Sequence, residues 1–194
     1  LVARVEQNLG ILANIQGRLF EARQWYERSL SEYRDSQDEH GCAIAHHNLG
    51  MVSADAHRYD EAERHLRASL VIARRRGDRF LEALCLVNQA DVDFARQSYE
   101  SARQHAEAAL AMFEHLGARG AKSDAYRVIG MVYRETGKPI LAESRLCSAI
   151  ALAVSGESVL SEAEARRELA IVYQGMGRNQ KALRSLHDAY HLFR

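Results

Sequence analysis

Cysteine is scarce in this chain, and its few copies follow no metal-binding or disulfide spacing. The three residues, Cys42, Cys85 and Cys147, are odd in number and lie far apart. We interpret them as reduced thiols and expect a cytoplasmic protein with no metal site. Proline is scarcer still. The single copy, Pro139, follows Gly137 and Lys138, where it is predicted to occupy the first turn of a helix.

Long apolar runs and an excess of charge of one sign are also missing. No stretch approaches the roughly 18 apolar residues of a membrane span. Lys and Arg total 26, as do Asp and Glu, so the formal net charge is zero. A basic excess is typical of proteins that bind nucleic acids or membrane surfaces. We therefore expect neither as a direct partner.

The sequence lacks the motifs that would indicate catalysis. It contains no glycine-rich phosphate loop, nucleophile elbow, zinc-ligand spacing or dinucleotide fingerprint. We therefore predict no catalytic residues, no cofactor and no enzymatic activity.

What the chain does contain is a repeat of 40 residues, most clearly seen at Asn48-Leu49-Gly50. The corresponding triplets are Asn8-Leu9-Gly10, Asn88-Gln89-Ala90, Val128-Ile129-Gly130 and Glu168-Leu169-Ala170. Alanine also returns at one offset, as Ala22, Ala62, Ala102, Ala142 and Ala182. A period of this length is typical of stacked-repeat proteins.

Each repeat is predicted to contain two helices. In residues 41–54 and 59–75, apolar or small residues recur at spacings of three and four. Gly17, Gly137 and Gly177 fall where the first helix should end in a left-handed residue. The pattern predicts an all-α solenoid of five tandem two-helix repeats.

The series Leu49-Gly50, Ala62, Leu66 and Ser69 resembles the tetratricopeptide repeat (TPR) motif. The usual repeat has about 34 residues, and the longer repeat seen here is similar to those of kinesin light chains, spindle-orientation adaptors and bacterial regulators. The resemblance implies a right-handed superhelix. We expect one elongated domain over residues 1–194, with repeats of about 1–37, 38–77, 78–117, 118–157 and 158–194. The chain starts with Leu1 at a repeat boundary, so we expect a fragment of a longer protein.

The resemblance also implies a binding groove lined by the first helix of each repeat. Carried over to this sequence, the partner-binding positions are Gln7, Asn8, His47, Asn48, Met51, Asn88, Asp91, Phe94, Arg127, Arg134, Arg167 and Gln174, with Asn14 one turn beyond Asn8. Asn8, Asn48 and Asn88 would form a ladder. It could hold a ligand backbone, or each Asn could tie its own pair of helices.

Charged residues replace the ladder in the last two repeats. Arg127, Arg134 and Arg167 could recognise a carboxylate, or acids such as Glu164 and Glu168 could neutralise them. We also expect Asp91 or Asp93 to pair with Arg127 or Arg134.

Our leading hypothesis is a non-catalytic scaffold that binds a protein or peptide segment, as the sensor or adaptor arm of a bacterial signalling or transcriptional regulator. One alternative is a homodimer formed through exposed ends, because the last helix finishes in apolar residues at Ala189, Tyr190, Leu192 and Phe193. Another is the regulatory arm of an enzyme that binds an effector.

Overall fold

The computed structural model describes residues 1–192, and this part of the chain forms ten α-helices and no strand. The first helices of the repeats are α1 (Val2–Ile15), α3 (Glu39–Asp55), α5 (Arg79–Ala95), α7 (Lys122–Glu135) and α9 (Val159–Gly175). The second helices are α2 (Leu19–Asp35), α4 (Tyr59–Arg76), α6 (Tyr99–Leu116), α8 (Pro139–Ser155) and α10 (Asn179–Leu192). The helices confirm the predicted all-α solenoid of five two-helix repeats. The apolar end predicted at Phe193 lies outside the described residues.

The contacts within the chain divide it into two compact units, residues 1–92 and residues 93–194. In the first unit, α1 packs on α2, α2 on α3 and α3 on α4. In the second unit, α6 packs on α7, α7 on α8, α8 on α9, and α9 on both α7 and α10. Sequential helices are therefore spatial neighbours within each unit, as in a solenoid.

The core of the first unit combines large side chains with residues small enough to let helices approach. Tyr26, Leu30, Leu49 and Val52 are buried with several alanines between α1, α2 and α3. Where α3 crosses α4, a Cβ added at Gly50 would lie 2.6 Å from Leu66 Cγ. The small residue of the repeat triplet is thus required by close helix packing.

The core of the second unit repeats this arrangement. Leu146 of α8 packs against Leu169, Val172 and Tyr173 of α9, with Ala142 and Ala182 between the helices. A buried serine adds a hydrogen bond between paired helices, because Ser123 Oγ donates to the carbonyl oxygen of Ala149 over 2.9 Å. Its counterpart in the first unit is the bond from Ser69 Oγ to the carbonyl of Ala43, at 2.8 Å.

A left-handed residue follows each helix from α1 to α9, at two alternating positions of the repeat. After the first helices these residues are Gly17, His57, Gln97, Gly137 and Gly177, and after the second helices they are Gln37, Gly77, Gly117 and Glu157. The prediction for Gly17, Gly137 and Gly177 is confirmed. The non-glycine residues take the same conformation, although it costs L-residues about 1–2 kcal/mol.

Pro139 begins α8 as its first residue, as predicted, where its missing N–H leaves no helical hydrogen bond unmade. Within the described residues, no helix combines the length and the apolar character needed to cross a membrane.

Candidate functional site

In the first compact unit, the predicted partner-binding residues of α3 and α5 meet at His47 and Asn88. Asn88 Nδ2 lies 2.7 Å from His47 Nε2. Because an amide nitrogen can only donate, Nε2 accepts this bond and the ring proton of neutral His47 resides on Nδ1. His47 is buried, and burial lowers its pKa against the opposing effect of a hydrogen bond with Asn48. Asn88 therefore ties α5 to α3.

Asn48 is placed differently, because one end of its side chain is buried without a partner. Its amide nitrogen Nδ2 makes no hydrogen bond, although no solvent reaches the atom. Asn14 on α1 has the complementary feature, since its buried oxygen Oδ1 is also without a hydrogen-bond partner. These two side chains thus offer an unmade donor and an unmade acceptor, and the first unit also buries Glu6 Oε2 and Ser53 Oγ without partners. A donor and an acceptor are the two groups that a peptide unit of a ligand requires.

Acidic residues accompany these amides. Partial burial raises the pKa of the Asp55 carboxyl, a hydrogen bond with Asn14 opposes the rise, and the charge of Asp91 adds to it. Asp55 and Asp91 lie 36 positions apart, which is one repeat less one helical turn. Sequence reasoning missed Asp55, but this spacing could have placed it on the same face as Asp91.

The remaining predicted positions of the first unit vary in exposure. Gln7 is half-buried, and its Oε1 accepts a 2.8 Å hydrogen bond from the hydroxyl of Tyr33. Asn8 is exposed, and Met51 is 36% exposed. Asn8 and Met51 are therefore more open to solvent than Gln7. We call the side of each compact unit that carries the predicted partner-binding residues its first-helix face.

In the second unit, the predicted arginines contact acidic residues of the first helices α7 and α9. Arg134 Nη1 of α7 donates to Glu168 of α9, and its Nε lies 2.8 Å from Glu135. Burial acts to lower the pKa of Arg134, but its hydrogen bonds to Glu135 and Glu168 have the larger combined effect. The pKa of Arg134 is therefore raised above its usual value. Glu168 is only 4% exposed, so this ion pair belongs largely to the protein wall.

Arg167 differs from the other two predicted arginines in exposure. Its Nη2 lies 3.1 Å from Glu168 Oε1, yet 53% of its side chain is exposed. Arg127 is 11% exposed and its Nε lies 3.4 Å from Glu164. Arg167 therefore has the greatest capacity to reach a ligand. The structure leaves Gln174 exposed and Phe94 half-buried against Tyr99, with ring centroids 5.6 Å apart.

The predicted lateral pairing of Asp91 or Asp93 with Arg127 or Arg134 stays a prediction. Asp93 Oδ2 lies 2.8 Å from His105 Nδ1. His105 lies on α6, the second helix of the same repeat, and its ring reaches the end of α5 where Asp93 lies. Sequence reasoning missed this contact, because the periodicity of the repeat predicts the face on which Asp93 lies but not the side chain that contacts it.

The comparisons with known proteins agree with this architecture. A family model described as tetratricopeptide repeat matches residues 1–75, 41–115 and 81–155. No curated protein sequence matches the chain. Among solved structures, a Rap protein complexed with Competence and Sporulation Factor superimposes with a TM-score of 0.88 at 17% identity, over 97% of this chain and 54% of that one.

Two other solved structures are similar over nearly the whole chain. Aspartyl phosphate phosphatase F from Bacillus subtilis gives a TM-score of 0.75 at 14% identity, over 98% of this chain and 59% of that one. The repeats of a putative kinesin light chain from Podospora anserina give 0.66 at 18% identity, over 97% and 93%. Identities this low establish the fold alone. The chain spans about half the length of the Rap protein it resembles.

Proposed function

Because the chain belongs to the tetratricopeptide repeat family, we propose that it is a non-catalytic scaffold that binds a protein or peptide segment on the first-helix faces of its compact units. Repeat scaffolds present extended surfaces to their partners, and fold alone does not identify the partner. The proposal therefore depends on the chemistry of the residues on those faces.

The observation that carries the proposal is the pair of unmade hydrogen bonds at Asn14 and Asn48. A buried polar atom without a partner costs about 1–3 kcal/mol. Both atoms are closed to solvent in the free chain, so binding requires the two amide groups to turn outward. A ligand backbone could then supply a carbonyl oxygen to Asn48 Nδ2 and an N–H to Asn14 Oδ1. Both contacts are independent of the ligand's side chains, so this part of the face would hold a peptide of varied sequence.

Charge recognition is the second element of the proposal, and we assign it to the second compact unit. Arg167 shares Glu168 with Arg134 and keeps more than half of its side chain exposed. A guanidinium group binds a carboxylate through two parallel hydrogen bonds. Arg167 would thus favour ligands with an acidic side chain or a free C-terminus.

The biological context we propose is the sensor or adaptor arm of a cytoplasmic bacterial regulator of signalling or transcription. Its support is the likeness to a Rap protein that was crystallised with Competence and Sporulation Factor. The neutral overall charge supports a protein partner over nucleic acid or a membrane surface.

A displayed library of random peptides tests the proposal. The library is selected on the immobilised chain, and the affinities of enriched peptides are then measured for the wild type and for Asn48→Ala. Loss of one hydrogen bond worth about 1 kcal/mol should weaken binding about fivefold. Gln24→Ala, an exposed position on α2, serves as the matched control and should bind as the wild type does.

Two outcomes would contradict the proposal. One is that no peptide is enriched. The other is that enriched peptides bind Asn48→Ala and the wild type equally well, which would place their site elsewhere. Circular dichroism at the assay temperature confirms that both variants are folded.

A second candidate function is self-assembly through the apolar ends of the chain. Val5 and Leu12 on α1 are 51% and 54% exposed, and Tyr190 on α10 is also 54% exposed. Sedimentation equilibrium would show a mass that rises with concentration, and Leu12→Glu should abolish the rise. A monomer at all concentrations would eliminate this candidate.

A further inference from the structure

The chain contains nine histidines, and two of them, His187 and His191, are related in a way that the others are not. They are the only histidines four residues apart, and both lie on α10. Side chains at positions i and i+4 lie above one another on one face of a helix. The rings accordingly meet, with centroids 4.3 Å apart and an edge-to-face angle of 68°.

The two Nε2 atoms are 3.1 Å apart. A metal–nitrogen bond to histidine is about 2.0–2.1 Å long. Two such bonds to atoms at this separation enclose an angle of about 98°, between the octahedral and tetrahedral values. The separation of the two nitrogens therefore fits one ion bound to both, in place of the hydrogen bond that now joins them.

We propose that His187 and His191 form a two-histidine binding site for a borderline divalent transition metal ion such as Zn²⁺ or Cu²⁺. Imidazole nitrogen suits these metals, and divalent copper is expected to bind more tightly than zinc. The protein supplies two ligands, so water or a group from another molecule completes the coordination. This inference is independent of the proposed peptide-binding function.

A neighbouring carboxylate favours the arrangement. Asp188 Oδ1 lies 3.8 Å from His187 Nδ1. A negative charge beside Nδ1 favours the proton on that nitrogen, which leaves the lone pair of Nε2 for the metal. The other carboxylate oxygen of Asp188 lies 3.1 Å from Arg166 Nη1, so Asp188 is held in place by α9.

The site would remain open if further repeats stack beyond α10. The positions that correspond to the two histidines are exposed in all four earlier repeats. For His187 they are Glu27, Arg67, Glu107 and Cys147, and for His191 they are Ser31, Val71, Ala111 and Ala151. Stacking therefore leaves this column of the second helices accessible.

The other close histidine pair of the described residues is a weaker candidate. His46 Nδ1 and His65 Nδ1 are 3.0 Å apart, but both residues are half-buried. Arg34 Nη2 lies 3.5 Å from His46 Nε2 and would repel a cation. Among residues 1–192, no group of three or more His, Cys, Asp or Glu side chains could hold a metal ion. The exposed pair on α10 is thus the site to test.

Calorimetric titration of the untagged chain with Zn²⁺ alone tests the proposal. The wild type should bind one ion, and His187→Ala or His191→Ala should weaken that binding about tenfold or more. Alanine favours the helix at these exposed positions, so both variants should fold. With Cu²⁺, electron paramagnetic resonance should detect two coordinated nitrogens in the wild type and one in either variant.

His115→Ala is the matched control, because His115 is an exposed histidine in the last turn of α6. Its Zn²⁺ affinity should equal that of the wild type. The proposal is overturned if the wild type binds no Zn²⁺, if His187→Ala binds as tightly as the wild type, or if only His46→Ala loses the ion.

Discussion

Replacement of Gly50 by alanine tests the account of how the repeats pack. The new Cβ would lie 2.6 Å from Leu66 Cγ and 2.7 Å from Leu66 Cδ2. Leu66 is fully buried, so its side chain has little space into which it can move. Such overpacking costs about 1–3 kcal/mol, whereas alanine gains about 1 kcal/mol in helix propensity over glycine. We expect the free energy of unfolding to fall by about 1 kcal/mol.

The third repeat suggests how the clash is relieved in nature. It carries alanine at both corresponding positions, Ala90 and Ala106, where the second repeat has Gly50 and Leu66. Leu66→Ala alone should cost about 2–5 kcal/mol through the cavity it creates. When Leu66 is already alanine, Gly50→Ala should leave the free energy of unfolding unchanged or raise it. The coupling energy between the two substitutions should therefore be about 1–2 kcal/mol.

Urea unfolding of the wild type, the two single variants and the double variant, followed by circular dichroism, measures this coupling. Gly175→Ala is the control, because a Cβ added at Gly175 meets no atom within 4 Å and its backbone suits any residue. It should be neutral or slightly stabilising. The reasoning is refuted if Gly50→Ala is as stable as the wild type, or if its effect is the same in the wild-type and Leu66→Ala backgrounds.

Three further predictions concern single residues. Gln97→Gly should raise the free energy of unfolding by about 0.5–1 kcal/mol in urea unfolding, because Gln97 has a φ of 61° that glycine adopts without strain. Asn88→Ala should lower the melting temperature in calorimetry and cost about 1–3 kcal/mol, because it leaves Nε2 of buried His47 without its partner; an unchanged melting temperature would contradict this. Burial lowers the pKa of His46 to about 4, below its unfolded value near 6.5, so stability should decline as the pH falls from about 6.5 to 4. The urea midpoint of His46→Gln should decline less over that range, and equal slopes would count against the assignment.

Most of the fold could be predicted from the sequence, because the 40-residue repeat sets both the spacing of the helix pairs and the positions at which the helices of each pair contact one another. The crossing of paired helices is marked in the second repeat by Gly50, Ala62 and Leu66, and all three residues are buried in the structure. A left-handed residue after the first helices was predicted only where glycine occurs, at Gly17, Gly137 and Gly177. His57 and Gln97 take the same left-handed conformation, because the packing of the repeat imposes it on whichever residue occupies that position.

The candidate site was less predictable, because its chemistry depends on contacts between helices. The ladder of Asn8, Asn48 and Asn88 is regular in sequence, yet Asn8 is exposed, Asn88 binds His47 and Asn48 has a buried unpaired nitrogen. Neighbouring side chains differ between repeats, so equivalent asparagines acquire different partners. That the Asn14 oxygen is buried without a hydrogen-bond partner is evident only from the structure.

The central claim is that the first-helix face binds a peptide backbone through Asn48 and Asn14. The most direct measurement is a ¹⁵N-correlated nuclear magnetic resonance titration of the chain with a peptide selected on it, observing side-chain amides. The account predicts that the side-chain amide signal of Asn48 moves downfield as its nitrogen acquires an acceptor, with backbone shifts on α1 and α3. It is contradicted if the Asn48 signal stays fixed at saturation while shifts appear only around Leu12 or Tyr190.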